Sequence, residues 1–306
     1  MLAKLQRLGL CLALCGLSAC EVWLDVDAPQ CKTNNDCVGL FGRDYTCGGS
    51  GVCVAPQAAD GGTNKPDLPA RWACANDMKG DFIDDPDKTV TIRMDAVDLN
   101  TLKVPEDIKA VACSPTDWDC GDPVLKDVMP GADGFFSFDL PYGFEGIIKF
   151  TAPNIVDSIS KTNRPYLESV TTSGPAVLTL DARDDLANHA GHPIEPGTGV
   201  AILEIRDCAD NAGDGINFDN LVQDDGVEET PFYFDGALPS RTLTATTISN
   251  LLGAGREPRA VAGFSNLKPG FPSFTARLDS NKAEIAKIVV PIFEDTTTYV
   301  RVYAGY

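Results

Sequence analysis

The sequence predicts an all-β protein, two β-sandwich domains preceded by a small disulfide-rich module, and three observations carry that expectation. Short runs with period-two alternation, such as Val90, Ile92 and Met94 set between Thr91 and Arg93, recur along the chain with Pro, Gly and Asp between them. The 306 residues include 21 Pro and 28 Gly at irregular spacing, which suits many tight turns, and the 43% hydrophobic content is enough for packed cores. One stretch also returns in compressed form. Gly134-Phe135-Phe136-Ser137-Phe138-Asp139-Leu140-Pro141-Tyr142-Gly143 leads into a strand ending Phe150-Thr151-Ala152, and Gly263-Phe264-Ser265-Asn266-Leu267-Lys268-Pro269-Gly270 leads into Phe274-Thr275-Ala276. In both places the reading is a Gly turn feeding an aromatic, then a Leu, a Pro/Gly turn and a short strand.

Taken in order, residues 1–20 have the three parts of an export signal: a basic start with Lys4 and Arg7, an apolar run over 8–17, and small residues before a cysteine. The run is too short to span a bilayer. Leu17-Ser18-Ala19-Cys20 resembles the lipobox of bacterial lipoproteins. The resemblance implies a diacylglyceryl group on the Cys20 sulfur and a cut that makes Cys20 the first residue; an ordinary secretory leader is the competing reading. Each buried acyl methylene contributes about 0.8 kcal/mol, so two or three chains hold a protein on a membrane. Attachment to the membrane through this N-terminal lipid is expected. Glu21 is not the aspartate that retains some lipoproteins in the inner membrane, which favours the outer membrane of the cell envelope.

The whole chain carries a net charge of −19, and with the two leader cations set aside, 23 basic side chains face 44 acidic ones. Such a surface repels nucleic acid and anionic headgroups, so no nucleic-acid partner is expected.

Of 11 cysteines, Cys11 and Cys15 leave with the leader and Cys20 is the lipidation candidate, which leaves eight for disulfides. Residues 21–54, a short tether and a cysteine-rich module, hold Cys31, Cys37, Cys47 and Cys53. This module is too small to bury a core without cross-links. Its C-x5-C-x9-C-x5-C spacing lacks the close pairs of zinc ribbons and resembles that of EGF-like and related small cysteine-rich modules. Of three connectivities, Cys31 with Cys47 and Cys37 with Cys53 is the one favoured. In the body, Cys113 and Cys120 flank a hairpin-sized loop, leaving Cys74 and Cys208 as a clamp between domains.

Residues 55–71, rich in Pro, Gly, Asn and Asp, read as a linker. Residues 72–155 are expected to form the first sandwich, with strands near Val90 and at 108–113, 124–128, 135–140 and 146–150. Residues 156–199 read as a connector with a short helix capped by Asp181, apolar at Leu186 and Ala187, and closed by Gly191. Residues 200–306 are the second sandwich, opening with the strand at 200–205. Val289-Val290-Pro291-Ile292 ahead of Thr297, Tyr299, Arg301 and Tyr303 reads as a closing hairpin.

The repeated unit resembles that of the transthyretin-like, or carboxypeptidase regulatory-like, β-sandwich family, of immunoglobulin-like build. The matching positions are Gly134, Phe135, Phe138, Leu140, Pro141 and Gly143; the later copy keeps Gly263, Phe264, Leu267, Pro269 and Gly270 at shorter spacing. The resemblance implies accessory domains of envelope and extracellular proteins, used in adhesion, spacing or partner binding, and brings no catalytic residue.

Motifs for chemistry are sparse. His192 and Glu195 superficially match the first zinc-ligand pair of metallocarboxypeptidases, but no histidine follows His192. His189 and His192, with an acid such as Asp185, are weak metal candidates and otherwise loop residues near a helix end. The acidic turns at Asp81, Asp84, Asp85 and Asp87, and at Asp207, Asp210, Asn211 and Asp214, lack the order of a calcium loop. Trp118, Phe232, Tyr233 and Phe234 are candidates for stacking on a sugar, or else core residues. No nucleophile-elbow, zincin, P-loop or dinucleotide motif is present. The expected function is that of a non-catalytic, lipid-anchored envelope protein without a cofactor, presenting its sandwiches to an envelope protein or glycan. Two other readings stand beside it: a glycan- or metal-binding module on sandwich loops, and a hydrolase using a carboxylate pair.

Overall fold

The computed structural model describes residues 67–77, 87–99, 101–114, 117–118, 120–191, 193–221, 231–240, 242–252 and 256–306, with the backbone of 46–47 and 53–54. The leader with Cys20, the positions Cys31 and Cys37, the acidic turn from Asp81 to Asp85, and His192 lie outside the described residues. Strands β1 (Thr46–Cys47) and β2 (Cys53–Val54) form an antiparallel ladder that sets Cys47 opposite Cys53.

Residues 66–306 form one compact unit. Its spine is a long sheet in which β15 (Leu238–Ser240), β14 (Phe232–Asp235), β17 (Arg259–Leu267), β12 (Gly199–Arg206), β20 (Thr297–Tyr303), β9 (Ser158–Thr162), β8 (Ile147–Thr151), β5 (Lys109–Cys113) and β6 (Leu125–Val128) lie side by side. A short strand, β16 (Ile248–Ser249), pairs with β17. The neighbours β12, β20 and β9 are parallel. Two smaller sheets pack on the spine: β10 (Val170–Thr172) with β3 (Thr89–Asp95) and β7 (Phe135–Pro141), and β13 (Ile216–Leu221) with β18 (Ser273–Leu278) and β19 (Glu284–Val289). A parallel pair, β4 (Val97–Asp98) and β11 (Ala176–Val177), completes the β structure of the described residues.

Ladder partners point to the same face of a sheet, so the register assigns the faces. Ile148 and Phe150 of β8 share a face with Ser160 and Ser158 of β9, then with Tyr299 and Thr297 of β20, then with Ile202 and Val200 of β12. On the β5–β8 half this face is buried: Ile92, Met94, Phe136 and Phe138 pack against Ala110, Ile148 and Phe150. On the β12–β17 half the opposite face is buried, with Leu203, Val300 and Phe264 against Ile216, Phe218, Phe274 and Ile288. Two sandwiches therefore share one central sheet and cover opposite faces of it.

The repeated unit makes the same step in each sandwich. Its first strand lies in one sheet and its second in the facing sheet, β7 to β8 and β17 to β18. Its aromatics then meet across the core, Phe136 edge-on to Phe150 with centroids 5.2 Å apart, and Phe264 to Phe274 at 4.8 Å. Such pairs contribute about 0.5–1.5 kcal/mol beyond their buried area. The two leading glycines differ. Gly134 is a turn residue with φ +80, whereas Gly263 lies inside β17, where a Cβ would meet the Phe232 ring at 2.2 Å. The second copy is thus led by a close-packed strand glycine and not by a turn.

Other expectations change for physical reasons. The stretch expected as a connector supplies β9, bonded on both sides within the central sheet, and Ser158 and Thr162 are buried there although the strand is polar. Helix α1 (Leu180–Ala190) is capped by Thr179, whose hydroxyl accepts from the Ala182 N–H at 3.2 Å; Asp181 lies in the first turn. Leu186 and Ala187 are buried and Gly191 ends the helix, as the pattern indicates. The closing hairpin does not form: β19 pairs with β18, while β20 runs parallel between β12 and β9. Trp72, read as opening the first sandwich, packs in the core of the second.

Cys74 is bonded to Cys208 and Cys113 to Cys120. The first bond closes a separation of 134 residues and fastens the 3-10 turn Ala70–Asn76 to the segment after β12. Changing both Cys74 and Cys208 to Ser is expected to lower unfolding free energy by about 2–4 kcal/mol, read as a lower urea midpoint. An unchanged midpoint would show that the bond constrains nothing.

Candidate functional site

The face that carries Val200 and Ile202 on β12 continues into Glu204 and Arg206. The register then sets Arg301 of β20 beside Glu204 and Tyr303 beside Arg206. On the other side Val261 of β17 pairs with Glu204, so Arg259, two residues earlier, points the same way. Three adjacent strands thereby gather one carboxylate and three guanidiniums. Glu204, Arg206 and Arg259 are fully buried, and Arg301 is 9% exposed.

Glu204 is held on every side. Its Oε1 accepts from Arg206 Nε at 2.5 Å and lies 3.4 Å from Arg301 Nε, and its Oε2 lies 3.3 Å from Arg259 Nη1. The remaining guanidinium donors reach outward: Arg259 Nη2 to the Gly174 carbonyl at 2.8 Å, Arg301 Nη2 to the Ser173 carbonyl at 2.8 Å, Arg301 Nη1 to the Thr172 hydroxyl, and Arg206 Nη1 to Glu257. The cluster therefore ties the central sheet to the end of β10. Burial pushes the Glu204 carboxyl up, but Arg301, Arg259 and Arg206 outweigh it and hold the group at about 2. Burial lowers Arg259 to about 10, against the pull of Glu204, and it stays charged at neutral pH.

Beside the cluster opens a cavity of about 360 Å³. Arg301 and Tyr303 form its buried floor, and Arg164, Tyr166, Asp210 and Glu257 stand around it. The Arg164 guanidinium lies 3.8 Å over the Tyr303 ring, and its Nη2 is 3.7 Å from Asp210 Oδ2. Burial, reinforced by the neighbouring Tyr303 and opposed by Arg301 and Arg164, raises the Tyr166 phenol to about 12. Tyr166 is thus a neutral hydroxyl at physiological pH.

Of the residues singled out in the sequence for chemistry, Asp210 borders this cavity and the other described ones fall elsewhere. His189 on α1 has its Nδ1 2.8 Å from the Asp185 carbonyl and borders a separate cavity of about 240 Å³ with Leu186, Leu238 and Leu251. Among the described residues no group of three or more His, Cys, Asp or Glu is placed to hold a metal. In the acidic turn after β12, Asp207 Oδ1 accepts the N–H groups of Ala209 and Asn211, each at 2.9 Å, and Asp207 and Asp214 pair with Arg71. Those carboxylates build the turn. Phe232, Tyr233 and Phe234 are each 1% exposed and belong to the cores. Trp118 is half-buried, with Phe271 at 5.4 Å on one side and Lys161 Nζ over its ring. The sequence reading missed Glu204, Arg206 and Arg259 as a group; the alternation Thr297, Tyr299, Arg301, Tyr303 was the one local sign of a polar face within a buried strand.

The fold and cavity define an all-β protein of two joined sandwiches with a polar recess at the join. No protein-family model matches the chain, and no curated protein does. Among solved structures it is similar to the Bacillus anthracis TIE protein, with 12% identity over 70% of this chain and 33% of that one, at a TM-score of 0.21. It is also similar to a family 26 carbohydrate-binding module of Eubacterium rectale Amy13K, solved with maltoheptaose, at 13% identity, 70% and 92% coverage and a TM-score of 0.24. A streptococcal ancillary pilin is similar at 10% identity, 71% and 69% coverage and a TM-score of 0.21. The chain spans about one third of the length of the first of these. Likenesses at this level carry no argument about function.

Proposed function

We propose that this is a non-catalytic, lipid-anchored protein of the bacterial cell envelope, at the outer membrane, whose two joined, transthyretin-like sandwiches serve a structural or partner-binding role. The observation that carries this reading is Leu17-Ser18-Ala19-Cys20 behind a basic start and an apolar run. The Cys74–Cys208 and Cys113–Cys120 bonds support it, because such bonds persist outside the reducing cytosol. The step of each repeated unit between facing sheets, with its aromatic pair, supports the family likeness.

The anchor is tested by feeding labelled palmitate to cells that produce the full chain. Label is expected on the native chain and lost in Cys20→Ala, with the variant leaving the membrane fraction. Label that persists in the variant would sink the anchor.

A further inference from the structure

We propose that the cavity beside the Glu204 cluster binds a neutral, hydroxyl-rich ligand, a short pyranose oligosaccharide. Charge selects the class. Arg164 and Arg301 face Asp210 and Glu257, so the cations and anions that stand around the cavity balance, in a chain whose net charge is −19. A metal ion entering here would meet two guanidiniums, and a phosphate or sulfate would meet two carboxylates. A sugar gains from both signs, because the Arg164 guanidinium can donate to its hydroxyls and the Asp210 and Glu257 carboxylates can accept from them in charge-assisted hydrogen bonds. Tyr166 and Tyr303 add apolar rings with hydroxyl tips, the side chains suited to a ligand that is apolar on its C–H faces and polar at its edges.

The recess is also built, and not an accident of loop packing. Arg301 spends its donors on Glu204, Thr172 and Ser173, so it acts as a fixed floor; Arg206, bound to the same Glu204, holds Glu257 in place. A buried ionic cluster adds little stability compared with well-packed apolar residues, so a role in holding polar groups still at a site accounts for it better. The volume of about 360 Å³ lies within the range of small-molecule sites, and the place, between β10 of one sandwich and the end of β20 in the shared sheet, is a junction of the kind where such sites form. The inference does not rest on the lipid anchor, since the cavity is formed by residues 135–303 alone.

The test is calorimetric titration of the purified full chain in detergent with cellotriose, maltotriose and chitotriose, and with calcium and inorganic phosphate as ionic comparators. Saturable binding of at least one trisaccharide is expected. Arg164→Gln and Asp210→Asn, both at partly exposed positions, are expected to weaken it about tenfold or more, the effect of losing one charge-assisted hydrogen bond. Asp127→Asn, at an exposed pair on β6, is expected to leave it unchanged. Melting temperatures of the variants check that the fold is kept. No binding of any trisaccharide, binding of calcium or phosphate in their place, or sugar binding that neither cavity variant weakens would each overturn the proposal. Because the measurement is made on protein in detergent, it gives the same answer whether or not Cys20 is acylated.

Discussion

Replacing Glu204 by Gln is expected to lower the unfolding free energy by about 3–5 kcal/mol, the cost of leaving a buried charge without its partner. The amide keeps the shape of the side chain and removes its charge. Arg206 and Arg259 are fully buried and Arg301 nearly so; without the carboxylate they face one another in a medium where water cannot screen them. Urea unfolding at neutral pH measures the loss, and an unchanged midpoint would mean that the carboxylate does not neutralise the cluster.

The same residue gives the native protein a pH signature. A glutamate in an unfolded chain titrates near about 4.3. In the folded protein Glu204 is held at about 2. A depressed carboxylate stabilises the fold at all pH values above its unfolded pKa, and that contribution is lost as pH falls from about 4.3 towards 2. The native chain should therefore lose stability across this window more steeply than Glu204→Gln, and equal slopes would show that Glu204 does not drive the acid limb.

Trp72→Ala is expected to cost about 3–5 kcal/mol, the range for emptying an aromatic site in a core. Trp72 is 1% exposed and sits in the same cluster as Leu203, Ile205 and Phe218. Its indole fills the space over Gly213, where even a Cβ would approach it to 2.5 Å. The 3-10 turn that carries it is seven residues long and has no side-chain cap, so it owes its form to this anchor and to its neighbours. Arg71 donates to the Ala212 carbonyl at 2.7 Å and to Asp207 at 3.2 Å, and Cys74 is bonded to Cys208. Thermal unfolding checks the value. Leu238→Ala, at a position 56% exposed, serves as comparator and should change stability by less than about 0.5 kcal/mol.

The strands that alternate cleanly were legible in the sequence. Val90, Ile92 and Met94 place one face of β3 in the core, and the register brings them opposite Leu140, Phe138 and Phe136. What escaped was whatever depends on which strand lies next to which. β9 reads Ser-Ile-Ser-Lys-Thr, the pattern of a surface loop, and it is central only because β8 and β20 supply partners on both sides. Parallel pairing of β12 with β20 joins residues almost one hundred positions apart, and no turn signal marks such a connection. Glu204 and Arg259 escaped for the same reason: a charged residue in a strand reads as solvent-facing until its neighbours are known. The cavity was illegible in turn, since its side chains come from five separate stretches of chain. Most of the acidic and aromatic residues that stood out locally were conspicuous because they build turns and cores; Asp210 is the exception, at the cavity.

The bond between Cys74 and Cys208 has a mechanical consequence. A pull on the chain from its N-terminal side, once past the contacts of Arg71 and Trp72, reaches Cys74 and crosses the sulfur bridge directly to the residue just beyond β12, a central strand of the long sheet. Residues 75–207 lie on a covalent detour that carries no load while the bridge is intact. The sandwich of β3, β7, β5 and β8 is thereby shielded from stretching, and only the chain before residue 74 and the portion from residue 208 onward can be drawn out by force.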